Sequence, residues 1–548
     1  MIVSTIQAQV SSATLGKVSR LFNASLTDCL NELLQNARRA GATGVSLSLT
    51  DDRHLTIADD GIGIANPQTL LTLGQSDWSS QTQQQEDPAG MGIFSLASRN
   101  VTVRSQDWQV HLTPEHFSGG AIAPVEFCGA IAGTEIGFTL TDVEARSLHP
   151  RVQQVARFYP LPVWLNGEEI SREDFLHGAL YVEEWQGLRI GVRSQSQWQR
   201  DWTINFYGLT LGQVLPSLCC NTQTYYVRVD VLDCPDLKLV LPARKEVVQD
   251  AFWTALTQEL RRVLYRFVAT LPHHNLAYTQ WQKAKALGVD LPMAQAVLYS
   301  FGPAIANVYE NDRGIPEAIA DNALVFDIRD FSCSQQQVFW RAFEQANLAY
   351  QPLAPDVNYI GYPWYDRLPR LSQVRFEVEQ AGVRMDLETW AEGRSRGGVE
   401  RVTQVWAIAQ MGDGSSYQEM RFPSDLVLVD DPDCDFDPVE QTLIVLSESA
   451  RLEVEELAEL LEVAYFVVSD DSDSDSWYTQ QQDFQESAYE RAARALLNEQ
   501  AALLARLTMA AERHLRWMVP PRQKLEIRLV PSVGNERSIS VTVGEQES

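Results

Sequence analysis

Three short motifs follow one another within the first hundred residues of this 548-residue chain, and they constrain its fold more than any bulk property. The first is Asn31-Glu32-Leu-Leu-Gln-Asn36-Ala-Arg-Arg-Ala40. Its apolar residues Leu30, Leu33, Leu34 and Ala37 recur at helical spacing, so residues 27–40 are expected to form a helix, with Thr27 as N-cap and Gly41 as C-cap. Glu32 and Asn36 lie one turn apart on the same side of it. A carboxylate there can polarise a water molecule, and a carboxamide oxygen one turn away can coordinate a cation. Read alone, the pair also fits the wet side of an ordinary amphipathic helix.

The second motif, Asp59-Asp60-Gly61-Ile62-Gly63-Ile64, follows two strand-like runs, Val45–Thr50 and His54–Ala58. Its glycines let backbone approach a flat ligand, and a sheltered carboxylate accepts a hydrogen bond from an exocyclic amino group. The third motif, Gly90-Met91-Gly92-Ile93-Phe94-Ser95, opens a helix expected from Gly92 to Arg99. Amides at a helix start attract phosphate oxygens. Each motif alone has a bland reading, as a Gly-rich turn or a loop-to-helix junction. Their order and spacing together fit one nucleotide pocket.

The set resembles the N, G1 and G2 boxes of the GHKL ATPases, the superfamily of gyrase, the large heat-shock chaperone, histidine kinases and MutL. The resemblance implies an α/β (α+β) Bergerat-fold sandwich that holds ATP and Mg²⁺. It implies Glu32 as general base and Asn36 as magnesium ligand. It implies Asp59 as the carboxylate reading adenine, with Gly61, Ile62, Gly63 and Ile64 around the base. Gly90, Met91, Gly92, Ile93 and Phe94 would form the phosphate loop. Gly133-Thr134 matches the Gly-Thr closing such pockets, with Thr134 supporting adenine through water. The polar stretch Gly74–Ala89 would be a lid, although it lacks the lysine that several relatives place there. The phrase Gly-Met-Gly-Ile-Phe-Ser is most similar to the chaperone branch. After the pocket, that branch, gyrase and MutL carry a transducer domain whose basic residue reaches the γ-phosphate. The segment Leu241-Pro-Ala-Arg244-Lys245-Glu246 resembles it, with Arg244 as first choice and Lys245 as second.

The expected organisation is an ATP-binding domain over 1–145 and a transducer-like domain over 146–272. A mixed α/β region over 273–440 and a helical region with a terminal β-hairpin over 441–548 follow. Tyr159–Gly167 reads as a strand with an Asn-Gly turn opening the second domain, which would close with a strand over Leu237–Leu241 and a helix over Val247–Thr270. Residues 14–24 and Ala450–Glu462 read as helices. A single long helix is expected from Phe484 to Met518, because Tyr489, Ala493, Leu496, Leu503, Leu507 and Ala510 fall near heptad spacing. Two strands, Leu525–Val530 and Ser538–Val543, end the chain.

Composition narrows the partners. With 44 Lys+Arg against 72 Asp+Glu the net charge is −28, which disfavours nucleic acid and anionic membranes. The seven cysteines (Cys29, Cys128, Cys219, Cys220, Cys234, Cys333 and Cys434) have no zinc or disulfide spacing, which points to a reducing compartment. No signal-peptide pattern and no apolar run long enough to span a bilayer are evident, so a cytoplasmic protein is expected. The alternating aspartates at 431–437 and 471–475 lack the glycine and glutamate of a calcium loop and read as solvated. His273-His274 reads as a surface pair.

The function expected is that of an ATP-hydrolysing, chaperone-like conformational machine acting on a protein partner. The long helix and the family habit suggest a homodimer. The alternatives are a DNA-linked ATPase of the MutL or gyrase kind, a sensor kinase, or a nucleotide-gated interaction module without turnover. Acidity argues against the first, and the short stretch before Glu32 against the second.

Overall fold

The computed structural model describes residues 25–72, 92–194, 202–240, 244–307, 315–395, 397–412, 416–430, 438–469, 476–518, 523–531 and 537–545. The expected helix over 14–24, the lid, Gly90, Met91 and both acidic loops lie outside them. The chain divides into two compact units, residues 1–295 and 296–548, both mixing helices and sheets in an α+β manner.

Among the described residues the first unit opens with helix α1, Leu26–Arg39. Its N-cap is Ser25, two residues earlier than Thr27, because Ser25 and Asp28 form a reciprocal capping box. Ala40 is the C-cap and Gly41 follows it at φ +69°, the left-handed position that glycine tolerates best. Leu26, Leu30, Leu33, Leu34 and Ala37 face the core. Strands β1 (Val45–Leu49) and β2 (His54–Asp59) come next. They are followed by β3 (Val101–Ser105), β4 (Trp108–Leu112), β5 (Val125–Phe127) and β6 (Thr134–Thr139). Helix α2 (Leu148–Ala156) leads to β7 (Val163–Leu165) and β8 (Glu168–Glu169).

These eight strands form one sheet in the order β5-β4-β3-β6-β2-β1-β7-β8. Val45 and Leu47 point into the core while Ser46 and Ser48 stay exposed, so one face is buried beneath α1 and α2. The strand expected to open a second domain instead completes this sheet. β7 pairs parallel with β1, Val45 opposite Val163, and the Asn166-Gly167 turn joins it to β8. The expected helix after Gly92 is a short 3₁₀ turn, Gly92–Leu96, held down by buried Phe94 and Leu96.

A second sheet of this unit contains β9 (Tyr181–Trp185), β10 (Leu188–Ser194), β11 (Ile204–Phe206), β12 (Leu209–Leu211), β13 (Ser217–Cys220) and β14 (Gln223–Val231). Helix α3 (Ala251–Ala269), capped by Asp250, buries Leu256, Leu260 and Val263 against Ile190 and Val227, and helix α4 (Tyr278–Ala286) follows it. Helix α3 begins later than Val247, since the Val248 amide still donates to the Lys238 carbonyl at 2.8 Å and Asp250 is the N-cap. The strand expected at Leu237–Leu241 reduces there to one bridge, Leu239 with Val247.

In the second unit, β15 (Ala323–Phe326), β16 (Gln351–Leu353), β17 (Arg370–Gln380), β18 (Gln404–Gly412) and β19 (Tyr417–Ser424) share a sheet. Helices α5 (Cys333–Gln345) and α6 (Val454–Tyr465) contribute Phe339, Leu457 and Leu461 to its core. The long helix does not form as one piece. It is α7 (Trp477–Leu496) and α8 (Glu499–His514), broken at Leu497, whose backbone is extended. Asn498 caps α8 by accepting from the Ala501 amide. α8 folds back along α7, so that Arg506 pairs with Glu490 at 2.7 Å and Arg513 Nη1 donates to the Gln482 carbonyl at 2.9 Å. A terminal hairpin pairs residues 523–531 with 537–545. Among the described residues no helix is long and apolar enough to cross a membrane.

Candidate functional site

The site is built around α1. Its apolar stripe is fastened to the sheet, which leaves Glu32 and Asn36 half-buried on a flank. The Gly92 backbone crosses that flank. A Cβ there would stand 2.9 Å from Glu32 Oε2 and 3.1 Å from Asn36 Nδ2, so only glycine fits without displacing them. The Cys29 thiol donates to the Ser95 carbonyl at 3.3 Å and ties α1 to the same turn. Burial raises that thiol's pKa, as suits a core residue. The first and third motifs therefore converge on one spot.

The second motif meets the other end of α1. The Ile62 amide donates to the Ala40 carbonyl at 2.9 Å, and a Cβ on Gly61 would lie 2.6 Å from Ala40 Cβ. Asp59 ends β2, opposite Thr134 on β6. Its Oδ1 accepts from the Gly61 amide at 2.9 Å. Burial pushes its carboxyl above the usual carboxylate range; the Gly61 amide opposes that and the Asp60 charge adds to it. Asp60 behaves oppositely. It accepts from the Thr43 hydroxyl and from the Thr43 amide at 2.7 Å, and these bonds lower its pKa. Asp60 thus pins the loop, while Asp59 is the sheltered carboxylate of the pair. Gly133, at φ +70°, passes so close that a Cβ would lie 1.9 Å from the Asp59 carbonyl.

Ser105 was not singled out from the sequence, yet it stitches this end together. Fully buried, it donates to the Gly133 carbonyl at 2.8 Å and accepts from the Ile64 amide at 2.8 Å. Thr134 Oγ1 is 3.2 Å away. The alternation of Val101, Val103 and Ser105 places this serine inward, a signal that marks a buried polar position. Ile62 is largely exposed and Ile64 half-buried, whereas Phe94 packs edge-on against Phe117 as part of the core.

Arg244 lies in the chain beyond the second sheet. Its amide donates to the Val240 carbonyl at 2.9 Å and its φ is +51°, which turns the chain sharply. The guanidinium Nη1 stands 3.8 Å from Glu32 Oε1, with the two side chains 9% and 25% exposed. Lys245 is exposed. The geometry thus sets Arg244, not Lys245, beside Glu32.

Among the described residues there is no cluster of three or more His, Cys, Asp or Glu side chains able to hold a metal. Magnesium commonly takes only one or two protein oxygens and fills its shell with phosphate oxygens and water. Asn36 turns Nδ2 towards Gly92 while its Oδ1 accepts from Arg39 Nη1 at 3.1 Å, and that oxygen is the atom that would serve as such a single protein ligand.

No family model matches the chain, and no curated protein matches it. Solved structures similar to it include the ATPase region of Saccharomyces cerevisiae topoisomerase II. That similarity has a TM-score of 0.30 and 10% identity, over 40% of this chain and 76% of the other.

Proposed function

We propose that residues 25–295 bind ATP in a Bergerat-type site and hydrolyse it. The observation that carries this reading is the convergence of Glu32, Asn36, the bare Gly92 backbone and Arg244 on one flank of α1. Asp59, Gly61, Gly63 and Thr134 lie beside the C-terminal end of the same helix. A carboxylate, a carboxamide, an unobstructed backbone and a guanidinium suit a triphosphate. A desolvated carboxylate flanked by glycines suits the amino edge of a flat base.

In this reading the Asp59 carboxylate accepts from the adenine amino group, and Ser105 and Thr134 keep the glycine loops in place around it. Glu32 orients the attacking water and takes its proton. The Arg244 guanidinium turns from Glu32 to the γ-phosphate and neutralises charge that builds as the phosphoryl group leaves. A bound magnesium, held by Asn36 and phosphate oxygens, would neutralise phosphate charge. The second sheet and the second unit would pass the change to a partner. The net charge of −28 favours a protein partner over nucleic acid, in the manner of the chaperone-like branch. Calorimetric titration of the full chain with ATP and GTP, joined to phosphate release, tests the reading. Binding of ATP over GTP and magnesium-dependent release support it; no ATP binding rejects it.

A further inference from the structure

Gln35 lies between the two groups that face the proposed phosphate site, three residues after Glu32 and one before Asn36. It is buried to 5% exposure, on a helix whose other buried contacts are mostly apolar. Its Nε2 donates to the Tyr207 carbonyl at 2.7 Å. Tyr207 sits between β11 and β12 in a turn at φ +52°, a conformation that L side chains rarely adopt. The turn is held from behind. Asn205 Oδ1 accepts from the Gly208 amide at 2.8 Å, and Asn205 Nδ2 donates to Asp230 Oδ1 at 2.7 Å. Asp230 is itself buried and pairs with Arg189 at 3.3 Å. The Tyr207 ring lies 3.7 Å beneath the Arg38 guanidinium, one turn further along α1. The neighbouring Tyr159 hydroxyl donates to the Leu34 carbonyl at 2.6 Å. A Cβ on Gly208 would lie 3.0 Å from Tyr159 Cα, so that the turn and Tyr159 form one support.

We propose that Gln35 and the Tyr207 turn are positioning elements. They hold the α1 flank bearing Glu32 and Asn36 in register with the second sheet, so that movement of that sheet changes the placement of the base and the magnesium ligand. The proposal rests on the ATPase reading. Simple stabilisation would need no buried amide on α1 and no strained tyrosine turn; an apolar residue and a glycine would serve. Rates are sensitive to displacements of this kind, since about 1 Å of misplacement costs on the order of 10²-fold.

The test uses the full chain and three variants. Gln35→Met removes the donor at similar volume. Tyr207→Gly keeps the left-handed turn and its carbonyl but removes the ring. Tyr207→Phe keeps ring, turn and carbonyl. Phosphate release gives kcat and KM, calorimetry gives affinity for a non-hydrolysable ATP analogue, and thermal melting reports the folded fraction. Gln35→Met and Tyr207→Gly should lower kcat per folded molecule by about 10- to 10²-fold, with KM and analogue affinity within about twofold of the parent. Tyr207→Phe should match the parent. Unchanged kcat in Gln35→Met and Tyr207→Gly, or losses that follow the melting temperature alone, would overturn the proposal and leave the ATPase reading standing. Failure of the unsubstituted chain to bind ATP would overturn both. If Gln35→Met does not fold, Tyr207→Gly with Tyr207→Phe decides.

Discussion

Arg244 Nη1 stands 3.8 Å from Glu32 Oε1, a cation from the loop after the second sheet set against a carboxylate on the first helix. Both side chains are largely shielded, so their attraction is screened less than that of a surface pair. A nucleotide phosphate brought to this point would compete with Glu32 for the guanidinium. Without nucleotide the pair keeps Glu32 engaged.

The first prediction follows from that competition. Arg244→Ala should reduce phosphate release by about 10²-fold or more, as loss of a charge-stabilising donor does. ATP affinity should change far less. Lys245→Ala, at an exposed position, should remain near the parent. Steady-state kinetics beside calorimetry checks both; full turnover in Arg244→Ala would remove Arg244 from the site.

Asp59→Asn should abolish ATP binding. The Gly61 amide already donates to Oδ1, so an asparagine would turn its oxygen there and face the adenine amino group with another donor. Stability without ATP should move oppositely with pH. Burial raises the Asp59 pKa, so its favourable contribution is complete below the ordinary aspartate value of 3.8 and fades as pH rises through the raised one. Relative to the parent, Asp59→Asn should therefore melt higher at pH 7 than it does near pH 4. A pH-independent difference would contradict this.

Glu144 gives the converse case. The bidentate Arg99 guanidinium, joined by bonds from Thr141, holds its pKa down from 4.5 to about 2. Its contribution is present above the ordinary glutamate value and is lost as pH falls from about 4.5 towards 2. At neutral pH Glu144→Gln should cost up to about 3 kcal/mol, since about 1.4 kcal/mol per pKa unit gives roughly 3.5 for the whole shift and solvent screening lessens it. Denaturant melts at pH 7 and pH 2.5 should show the gap and its marked narrowing.

The local parts of this fold were legible because their signals are local. α1 has its apolar spacing and its capping residues within one stretch, and β1 and β2 alternate apolar with polar residues. The break at Leu497 was hidden because the apolar spacing runs through it with no glycine or proline. Only Asn498, whose side-chain oxygen accepts from the Ala501 amide as an N-cap, marks it. β7 joining the first sheet depends on parallel pairing with β1, which no nearby residue signals. At the site, Glu32, Asn36, Asp59 and Gly92 announce themselves through short spacings. Gln35 and Tyr207 do not, since a buried glutamine on a helix reads as solvent-facing until its distant carbonyl is seen.

The hairpin of α7 and α8 bears on assembly. Leu503 is 54% and Leu507 45% exposed on α8, so neither is needed for the hairpin's own packing. Leu503→Glu should leave the melting temperature nearly unchanged, within about 0.5 kcal/mol as at other exposed sites. If the chain assembles as a homodimer through this face, light scattering should show the variant as monomer and the parent as dimer. A dimer unaffected by Leu503→Glu places the contact elsewhere.

The central claim is that Glu32 acts as the base for ATP hydrolysis at the foot of α1. Single-turnover phosphate release by the full chain, compared with Glu32→Ala at saturating ATP and magnesium, tests it most directly. Loss of a general base costs about 10²–10⁴ in rate, so the variant should bind ATP with near-parental affinity and release phosphate that much more slowly. Equal release rates in parent and variant, with ATP bound to both, would contradict the account.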